Sequence, residues 1–351
     1  MARKLIHIAA VAATMALASA GCAVARPPLQ PATQTKTALP SEDLRELLNY
    51  LRSHGSTGFV VIRDGQVLID ETWPPPQDDR IFASFVHGRA GDGTLLEDVA
   101  SQQKSFVAVL VAIAVDKGLI DVERPVSAYL GQGWSKAAPE QEARIRVIDV
   151  LTMSSGLDER FGYVAPSGTV FFYNTPVYAI TRRILSAAAN QPLDVITRDW
   201  LTAPLGMTAT GWRARPAALA SVGNDTGLVT TPHDVARFGL MVLNRGVAEN
   251  GARVVSEARL DDLFARSSAN PAYGRLWWLN GSDYTMRALA GRSEGQLIPA
   301  APADLVGALG ALDRRLYVVP GRKLVVVRTG AATNDRDFDQ QLWLRLMKVL
   351  G

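Results

Sequence analysis

Strand-forming segments lie at both ends of this chain of 351 residues, and a stretch of short helices separates them. Near the start, Gly58–Ile62 and Gln66–Ile69 flank Arg63-Asp64-Gly65, a pattern that predicts a β-hairpin with a tight Asp-Gly turn. Four further strands are predicted late in the chain, at Tyr273–Leu279, Leu305–Leu312, Leu316–Val319 and Leu324–Val327. Because βαβ alternation is missing, the pattern indicates an α+β fold with one antiparallel sheet drawn from both chain ends.

Helical patterns complete this organisation. Ser41 begins a capped helix, residues 101–117 form a strongly apolar helix that Gly118 ends, and Phe338–Leu350 forms a closing amphipathic helix. We therefore expect one folded unit over residues 41–351. It has a sheet region at about 41–118 and 246–351, flanked by helices, and an inserted, mostly helical region at about 119–245.

Residues 1–21 are typical of a secretory leader. Arg3 and Lys4 precede a mostly apolar run, Leu5 to Leu17, which is too short to span a membrane as a helix. Residues 22–40 are rich in Pro, Thr, Gln and Ala, and they are predicted to form a flexible tether. The folded part of the protein is therefore expected outside the cytoplasm.

The sequence is compatible with two alternative cleavage sites for the leader. Cleavage after Ala18-Ser19-Ala20 would release a soluble periplasmic or secreted protein. Alternatively, Ala20-Gly21-Cys22 resembles the lipobox of bacterial lipoproteins, although Ser19 stands where that box usually has Leu. Because a lone cysteine directly behind a leader is otherwise hard to explain, we favour lipidation of Cys22, which would attach the periplasmic protein to a membrane.

Composition excludes several classes of function. The formal net charge is +3, and two of the positive charges belong to the leader, so nothing indicates nucleic-acid binding. A single cysteine excludes an intramolecular disulfide, a Cys-rich zinc site and a CxxC redox pair. Outside the leader, His54, His87 and His233 have no second histidine at ligand spacing. We therefore expect neither a metal nor a cofactor.

Gly291-Arg-Ser-Glu-Gly295 matches the G-x-S-x-G pattern of a nucleophile elbow. That elbow requires a preceding strand, a following helix and a histidine later in the chain. Here Pro299 and Pro302 follow closely, and no histidine occurs after His233. The segment is therefore predicted to be a surface turn.

Ser101-Gln-Gln-Lys104 opens the apolar helix with a serine and a lysine on one face, since residues three apart are neighbours on a helix. An ammonium at the head of such a helix is partly desolvated, which favours its neutral form. A neutral lysine can activate a serine as a nucleophile where no histidine is available. The alternative is structural, with Ser101 capping the helix and Lys104 extending its stem along apolar surface. The motif alone does not separate the two.

Several segments resemble the serine β-lactamase and penicillin-binding-protein superfamily, class C type. Ser101–Ile120 is similar to its active-site helix, and Ile145–Leu157 to a helix-and-turn segment. Pro166–Tyr178 resembles the segment that carries its second motif, Tyr-x-Asn. Leu309–Pro320 and Leu324–Gly330 resemble its closing hairpin. The order and spacing agree over nearly all of the exported chain, which implies a β-lactamase-like fold.

The resemblance implies a role for each matching residue. Ser101 is the nucleophile, Lys104 is its proton partner, and Tyr173 takes the place of the second-motif tyrosine, which shares general-base and leaving-group protonation work. A phenol near cationic or hydrogen-bonding partners can have a lowered pKa, so we expect Tyr173 to exchange protons near neutrality. The third motif falls on Ala308-Leu309-Gly310, so the backbone N–H groups of Ser101 and Ala311 would form the oxyanion hole.

Aromatic residues near these motifs have a simpler alternative role in packing. Tyr173 is then a core aromatic beside Phe171 and Phe172. Trp277 and Trp278 lie in a segment that also looks like a strand of the esterase branch of the superfamily, and they point to opposite faces. One of them could line a pocket, although core packing is the favoured role for both.

Two positions depart from the family pattern. Thr175 stands where the second motif usually has an Asn whose amide holds the substrate. Ala308 replaces the Lys or His that helps hold the substrate carboxylate in β-lactamases and D-alanyl peptidases, so a contact of about 1.5–3 kcal/mol is missing. Arg314 or Arg315 is a candidate replacement. Without that cation, the chain is similar to the esterase and 6-aminohexanoate-oligomer hydrolase branch.

We therefore expect an exported serine hydrolase that cleaves a small-molecule carboxylic ester or amide through an acyl-enzyme on Ser101. A β-lactamase or D-alanyl-D-alanine peptidase is the alternative enzyme, and turnover of β-lactams would distinguish it. A non-catalytic ligand-binding or sensor protein on the same scaffold is the alternative from another class. Ser101→Ala would leave ligand binding by such a sensor intact.

Overall fold

The structure is a computed structural model, and it describes residues 41–220, 224–287 and 291–351. The predicted leader, Cys22 and the tether lie outside the described residues. The strands are β1 (Ser56–Arg63), β2 (Gln66–Thr72), β3 (Val86–Arg89), β4 (Leu95–Asp98), β5 (Gly211–Ala214), β6 (Thr226–Thr230), β7 (Trp278–Leu279), β8 (Tyr284–Arg287), β9 (Gly291–Glu294), β10 (Val306–Gly310), β11 (Arg314–Val319) and β12 (Leu324–Gly330).

Helices occur throughout the chain, and most of those in the middle are short. They are α1 (Ser41–Ser53), α2 (Arg80–Ala83), α3 (Gln103–Asp116), α4 (Ser127–Leu130), α5 (Pro139–Glu142), α6 (Val147–Leu151), α7 (Thr175–Tyr178), α8 (Ile180–Ala189), α9 (Leu193–Thr197), α10 (Ala217–Ala220), α11 (Pro232–Leu243), α12 (Glu257–Leu263) and α13 (Phe338–Leu350). None of the helices in the described ranges has the length and apolar character needed to cross a membrane.

The main sheet is antiparallel, with the strand order β2-β1-β12-β11-β10-β7. The β1–β2 hairpin turns through Asp64 and Gly65, whose φ angles of 52° and 76° match the predicted Asp-Gly turn. Strand β1 pairs with β12, so that Phe59 lies opposite Arg328 and Arg63 opposite Leu324. The prediction of one antiparallel sheet drawn from both ends of the chain is confirmed.

Helices cover both faces of this sheet, and β11 and β12 are consequently buried at every position. On one face, Gly239 of α11 lies so close to the sheet that a Cβ there would touch Leu316 and Val325. On the other face, Tyr317 packs edge-on against Trp343 of α13, with ring centroids 5.5 Å apart. Double-sided burial explains why β12 is an uninterrupted apolar run for most of its length rather than an alternating one.

A second sheet has four strands in the order β3-β4-β6-β5. Strands β5 and β6 of this sheet come from residues 119–245, the region that the sequence predicts to be mostly helical. Strand β4 escaped prediction because it carries Glu97 and Asp98, which are nevertheless 1% and 0% exposed. Buried acids are rare without partners, and these two have arginine partners from distant parts of the chain.

Two late segments also differ from prediction. Only Trp278 and Leu279 of the expected strand Tyr273–Leu279 pair with β10, because Leu276 has a left-handed φ of 59° that interrupts the extended backbone. The segment Gly291–Gly295, predicted to be a surface turn, instead contains β9, which pairs with β8 in a two-stranded ribbon. Its side chains are mostly exposed, so its position at the surface agrees with the prediction.

Candidate active site

Ser101 lies in a 3₁₀ turn, Ala100–Gln102, that runs directly into α3. Ala100 has a φ of 51°, in the left-handed region that residues with a side chain seldom adopt. The carboxylate of Asp98 holds this turn, since its Oδ1 accepts the N–H of Ala100 at 2.8 Å. Backbone strain held by a buried partner thus sits at the residue next to Ser101, as is common at functional sites.

Lys104 donates to Ser101, with its Nζ 2.8 Å from the serine Oγ. The lysine is 1% exposed. Burial lowers the pKa of Lys104 to about 7, and the positive charges of Arg215 and Arg182 lower it further in the same direction. A large fraction of the amine is therefore neutral near pH 7, in the form that can accept the serine proton.

Tyr173 joins this pair. The Nζ of Lys104 lies 4.9 Å from the centroid of the Tyr173 ring, and the phenol lies close enough to Ser101 for that side chain to affect the pKa of the tyrosine. Trp278 stacks on Tyr173 with ring centroids 5.8 Å apart, whereas Trp277 is fully buried. Both tryptophans belong to the hydrophobic core, and Trp278 is the one that also contacts Tyr173.

The expectation of a lowered pKa for Tyr173 is wrong. Burial raises the pKa of Tyr173 to about 12, and the polar interaction with Ser101 offsets this only in part. The cause is desolvation, because the phenol sits in a buried setting that disfavours a phenolate. Tyr173 is therefore protonated at neutral pH, and it serves as a hydrogen-bond donor rather than as a resting base.

Asp98 and Arg215 form a buried ion pair next to the turn that carries Ser101. Arg215 donates to both carboxylate oxygens of Asp98, from Nε at 2.6 Å and from Nη2 at 2.9 Å. Nη2 also donates to Oε1 of Gln103 at 3.2 Å. Arg215 thus connects the residue that holds the turn before Ser101 with the first residue of α3. No sequence pattern indicated this role, since Arg215 lies in the middle of the chain beside no recognisable motif.

The end of β10 packs tightly against the turn that carries Ser101. A Cβ at Gly310 would overlap the carbonyl oxygen of Val99 and lie 3.2 Å from the nitrogen of Gln102. The side chain of Gln102 also crosses the junction, donating to the Ala308 carbonyl at 3.3 Å. In the part of the chain that the structure describes, the N–H groups of Ser101 and Ala311 donate to no protein acceptor. Both are available to bind an oxyanion.

Arg314 and Arg315 do not replace the missing cation of the third motif. Arg314 is 0% exposed and pairs with Glu97 at 3.0 Å. Arg315 is 8% exposed, and it pairs with Asp339 at 2.7 Å and with Asp313 at 2.7 Å. A substrate carboxylate would have to displace these buried partners to reach either guanidinium. The expectation that one of them takes the place of the cation is therefore corrected.

Thr175 is the first residue of α7, two positions after Tyr173, and it is partly exposed. The neighbouring Asn174 is 2% exposed and caps that helix, accepting the N–H of Val177 at 3.1 Å. Its amide also donates to the Leu157 carbonyl at 2.9 Å. Asn174 is thus a structural residue, which leaves Thr175 as the side chain of this motif able to meet a ligand. Among the described residues, no cluster of three or more His, Asp or Glu side chains is arranged to hold a metal ion.

The fold and this cluster define a class of protein: a serine hydrolase fold with a serine and a buried lysine at the start of one helix. A family model described as Beta-lactamase matches residues 46–347. The chain therefore belongs to the Beta-lactamase family, within the superfamily of β-lactamase-fold serine hydrolases.

Similar proteins have several activities. Penicillin-binding protein 4 of Amycolatopsis lactamdurans is 27% identical over 45% of this chain, which spans 53% of the length of that relative. The 6-aminohexanoate-dimer hydrolase of Paenarthrobacter ureafaciens is 25% identical over 68% of each chain. Among solved structures, a family VIII carboxylesterase is 13% identical with a TM-score of 0.60, and the match covers 88% of this chain and 98% of that one. This last likeness shows the fold alone.

Proposed function

We propose that this protein hydrolyses carboxylic esters or small linear amides through an acyl-enzyme on Ser101. The observation that carries the proposal is the 2.8 Å contact between the Ser101 Oγ and the Nζ of Lys104, whose side chain is buried. Burial supplies the neutral amine, and the contact places it where it can take the serine proton.

The reaction has two halves. The Oγ of Ser101 adds to the substrate carbonyl carbon as its proton passes to Lys104, and the N–H groups of Ser101 and Ala311 bind the resulting oxyanion. When the tetrahedral intermediate collapses, the alcohol or amine leaves with a proton returned from Lys104 through Tyr173. Water then adds to the acyl carbon as its proton passes to Lys104. The second tetrahedral intermediate breaks its bond to the Ser101 Oγ, which takes the proton back from Lys104, and the carboxylic acid is released.

The choice of substrate rests on what surrounds position 308. Ala308 is 0% exposed and has no polar group to offer, and the two nearby arginines are held in buried ion pairs. A β-lactam or a D-alanyl peptide presents a carboxylate that would find no cation there. The 6-aminohexanoate-dimer hydrolase among the similar proteins supports a small linear amide as substrate.

The proposal includes export, with Cys22 lipidated and the protein held at a membrane of the periplasm. A Cys22→Ser variant expressed with its own leader should then move from the membrane fraction to the soluble periplasmic fraction. Equal distribution of the variant and the wild type would instead favour cleavage after Ala20.

Kinetics on two chromogenic substrates test the activity. We expect p-nitrophenyl butyrate to be hydrolysed at a rate that Ser101→Ala and Lys104→Ala variants of normal fold lose almost completely, with negligible turnover of nitrocefin. Efficient nitrocefin turnover would establish the β-lactamase alternative. Full activity in folded Ser101→Ala would overturn the acyl-enzyme, and binding without any hydrolysis would indicate a sensor.

A further inference from the structure

The loop that carries the Ala311 N–H is held by arginines. It joins β10 to β11, and two of its residues, Leu312 and Asp313, have left-handed φ angles of 59° and 53° although neither is glycine. Such a conformation persists only where the surroundings fix it. Arginine side chains bind the four consecutive carbonyls that begin with Gly310, namely Arg315 on Gly310, Arg314 on Ala311, and Arg328 on Leu312 and Asp313, at 2.9, 3.4, 2.8 and 3.1 Å.

One of these contacts bears directly on the oxyanion hole. The carbonyl of Gly310 and the N–H of Ala311 belong to the same peptide unit, which is planar and trans, so the two groups point in opposite directions. Arg315 holds that carbonyl from Nη1 at 2.9 Å. Whatever fixes the direction of the carbonyl therefore also fixes the direction of the N–H. A cation on the carbonyl oxygen further polarises the unit and strengthens the N–H as a donor.

Arg315 is itself fixed. Its Nε donates to Asp339 at 2.7 Å and its Nη2 to Asp313 at 2.7 Å, and the side chain is almost fully buried. Asp339 lies on α13 and also accepts the hydroxyl of Tyr317. The guanidinium is thus clamped between the last helix and the loop, with Nη1 directed at the Gly310 carbonyl.

We propose that Arg315 is a positioning residue for the oxyanion hole: it holds the Gly310–Ala311 peptide so that the Ala311 N–H faces the Ser101 nucleophile. Arg315 touches neither the substrate nor the reacting atoms. The inference rests on the proposed function, because it assigns Ala311 the oxyanion that forms on the acyl carbon.

Replacing Arg315 tests this. Removing one oxyanion donor outright costs about 10²–10³ in kcat, so we expect Arg315→Met to lower kcat on p-nitrophenyl butyrate by about 10–100-fold. KM should change much less, because the donor binds the tetrahedral species more strongly than the ground-state ester. Arg315→Lys, which restores a cation but not the fork of donors, should recover part of the loss.

A boronic acid supplies a readout that does not need turnover. The Ser101 Oγ adds to boron as its proton passes to Lys104, and a boronate oxygen then occupies the oxyanion hole. Butylboronic acid should bind Arg315→Met more weakly than the wild type, by a factor similar to the loss in kcat. The boronate affinity tests the role of Arg315 even if the wild type hydrolyses neither esters nor amides. The absence of hydrolysis would refute the proposed function separately.

Tyr317→Phe is the matched control, because it removes another buried hydrogen bond to Asp339 and leaves Arg315 in place. It should retain kcat and boronate affinity within about 2-fold of the wild type. A folded Arg315→Met with wild-type kcat and boronate affinity would refute the positioning role, and so would an equal loss in Tyr317→Phe.

If Arg315→Met does not fold, the same two measurements are made on Arg315→Lys and on Asp339→Asn, which removes a charge that holds Arg315 in place. Losses in both variants would then support the positioning role, and wild-type values in both would refute it.

Discussion

Lys104 and Tyr173 have pKa values that the same physical effect drives in opposite directions. Burial disfavours charge, so it lowers the pKa of the lysine to about 7 and raises that of the tyrosine to about 12. Both side chains are consequently neutral just above pH 7. One is then a base with a free electron pair and the other an acid with a proton to donate, which is the division that proton transfer in both directions requires.

The pH dependence of activity follows from this assignment. Because only neutral Lys104 can take the serine proton, kcat/KM should rise with pH through an apparent pKa near 7 and level off above it. Initial rates on p-nitrophenyl butyrate between pH 5.5 and 9, corrected with a Ser101→Ala blank, measure this limb. Arg182→Met removes a positive charge that lowers the lysine pKa, so its limb should move to higher pH. A flat profile would contradict the role of Lys104 as base.

At the residue scale, the sequence predicted the site residues whose partners lie close to them in the chain. Ser101 and Lys104 are three residues apart on a helix, and that spacing alone predicts their contact, which the structure places at 2.8 Å. It could not reach Arg215 or Arg315, because their partners Asp98 and Asp339 become neighbours only when the sheets assemble. It also misjudged the pKa of Tyr173, since the shift depends on how deeply the folded chain buries the phenol.

At the scale of elements, the site depends on how closely β10 approaches the turn before α3. Gly310→Ala would place a Cβ against the Val99 carbonyl, and the strand would have to move away from Ser101. Since a shift of about 1 Å can cost about 10²-fold in rate, we expect at least that loss in kcat/KM, together with a stability loss of about 1–3 kcal/mol.

Gly307 provides the control on the same strand. The atoms nearest to a Cβ there belong to side chains rather than to the backbone, and the closest is the Cδ2 of Leu309 at 3.2 Å. Gly307→Ala should therefore keep kcat/KM within a few-fold of the wild type, as measured beside Gly310→Ala with thermal unfolding of both. Comparable losses in the two variants would mean that the strand tolerates no side chain anywhere, and the close approach at Gly310 would not be special.

Elements with local signals were predictable and those without were not. The β1–β2 hairpin follows from an Asp-Gly turn between apolar strands, and α13 has the bounds that its amphipathic pattern predicts. Strand β4 carries two acids in four residues, so its pattern is typical of an exposed segment even though all four are buried. Strand β4 pairs with the neighbouring β3 on one side and, on the other, with β6, which comes from far along the chain.

At the scale of the whole molecule, the site lies where the two sheets meet. Ser101 follows β4 of the second sheet, and Ala311 follows β10 of the main sheet. Glu97 of β4 joins the sheets, because it accepts the Thr57 hydroxyl, the Gly330 N–H and the guanidinium of Arg314. A buried ion pair is a weak source of stability, but this one fixes the turn that carries Ser101 relative to the loop between β10 and β11.

The buried lysine should make the molecule less stable than it could be. The folded-state pKa of Lys104 lies below its unfolded value of 10.5, so the unfolded chain binds the proton more tightly. The resulting penalty is absent above pH 10.5, grows as pH falls toward about 7, and is constant below that, reaching up to about 5 kcal/mol. Lys104→Met removes it at the cost of one hydrogen bond to Ser101 and of activity.

We therefore expect Lys104→Met to raise Tm by roughly 5 °C or more at pH 6.5 and by much less at pH 10, since each kcal/mol shifts Tm by about 2–4 °C in a large domain. Thermal unfolding followed by circular dichroism at both pH values measures the difference. Lys117→Met, at the exposed end of the same helix, is the control and should show a Tm change that does not depend on pH. An equal gain in Tm at both pH values would mean that Lys104→Met acts through apolar packing. A lower Tm at pH 6.5 would mean that the folded protein stabilises the charged form of Lys104. Only a gain confined to the lower pH is consistent with a protein that sacrifices stability to keep a neutral amine beside Ser101.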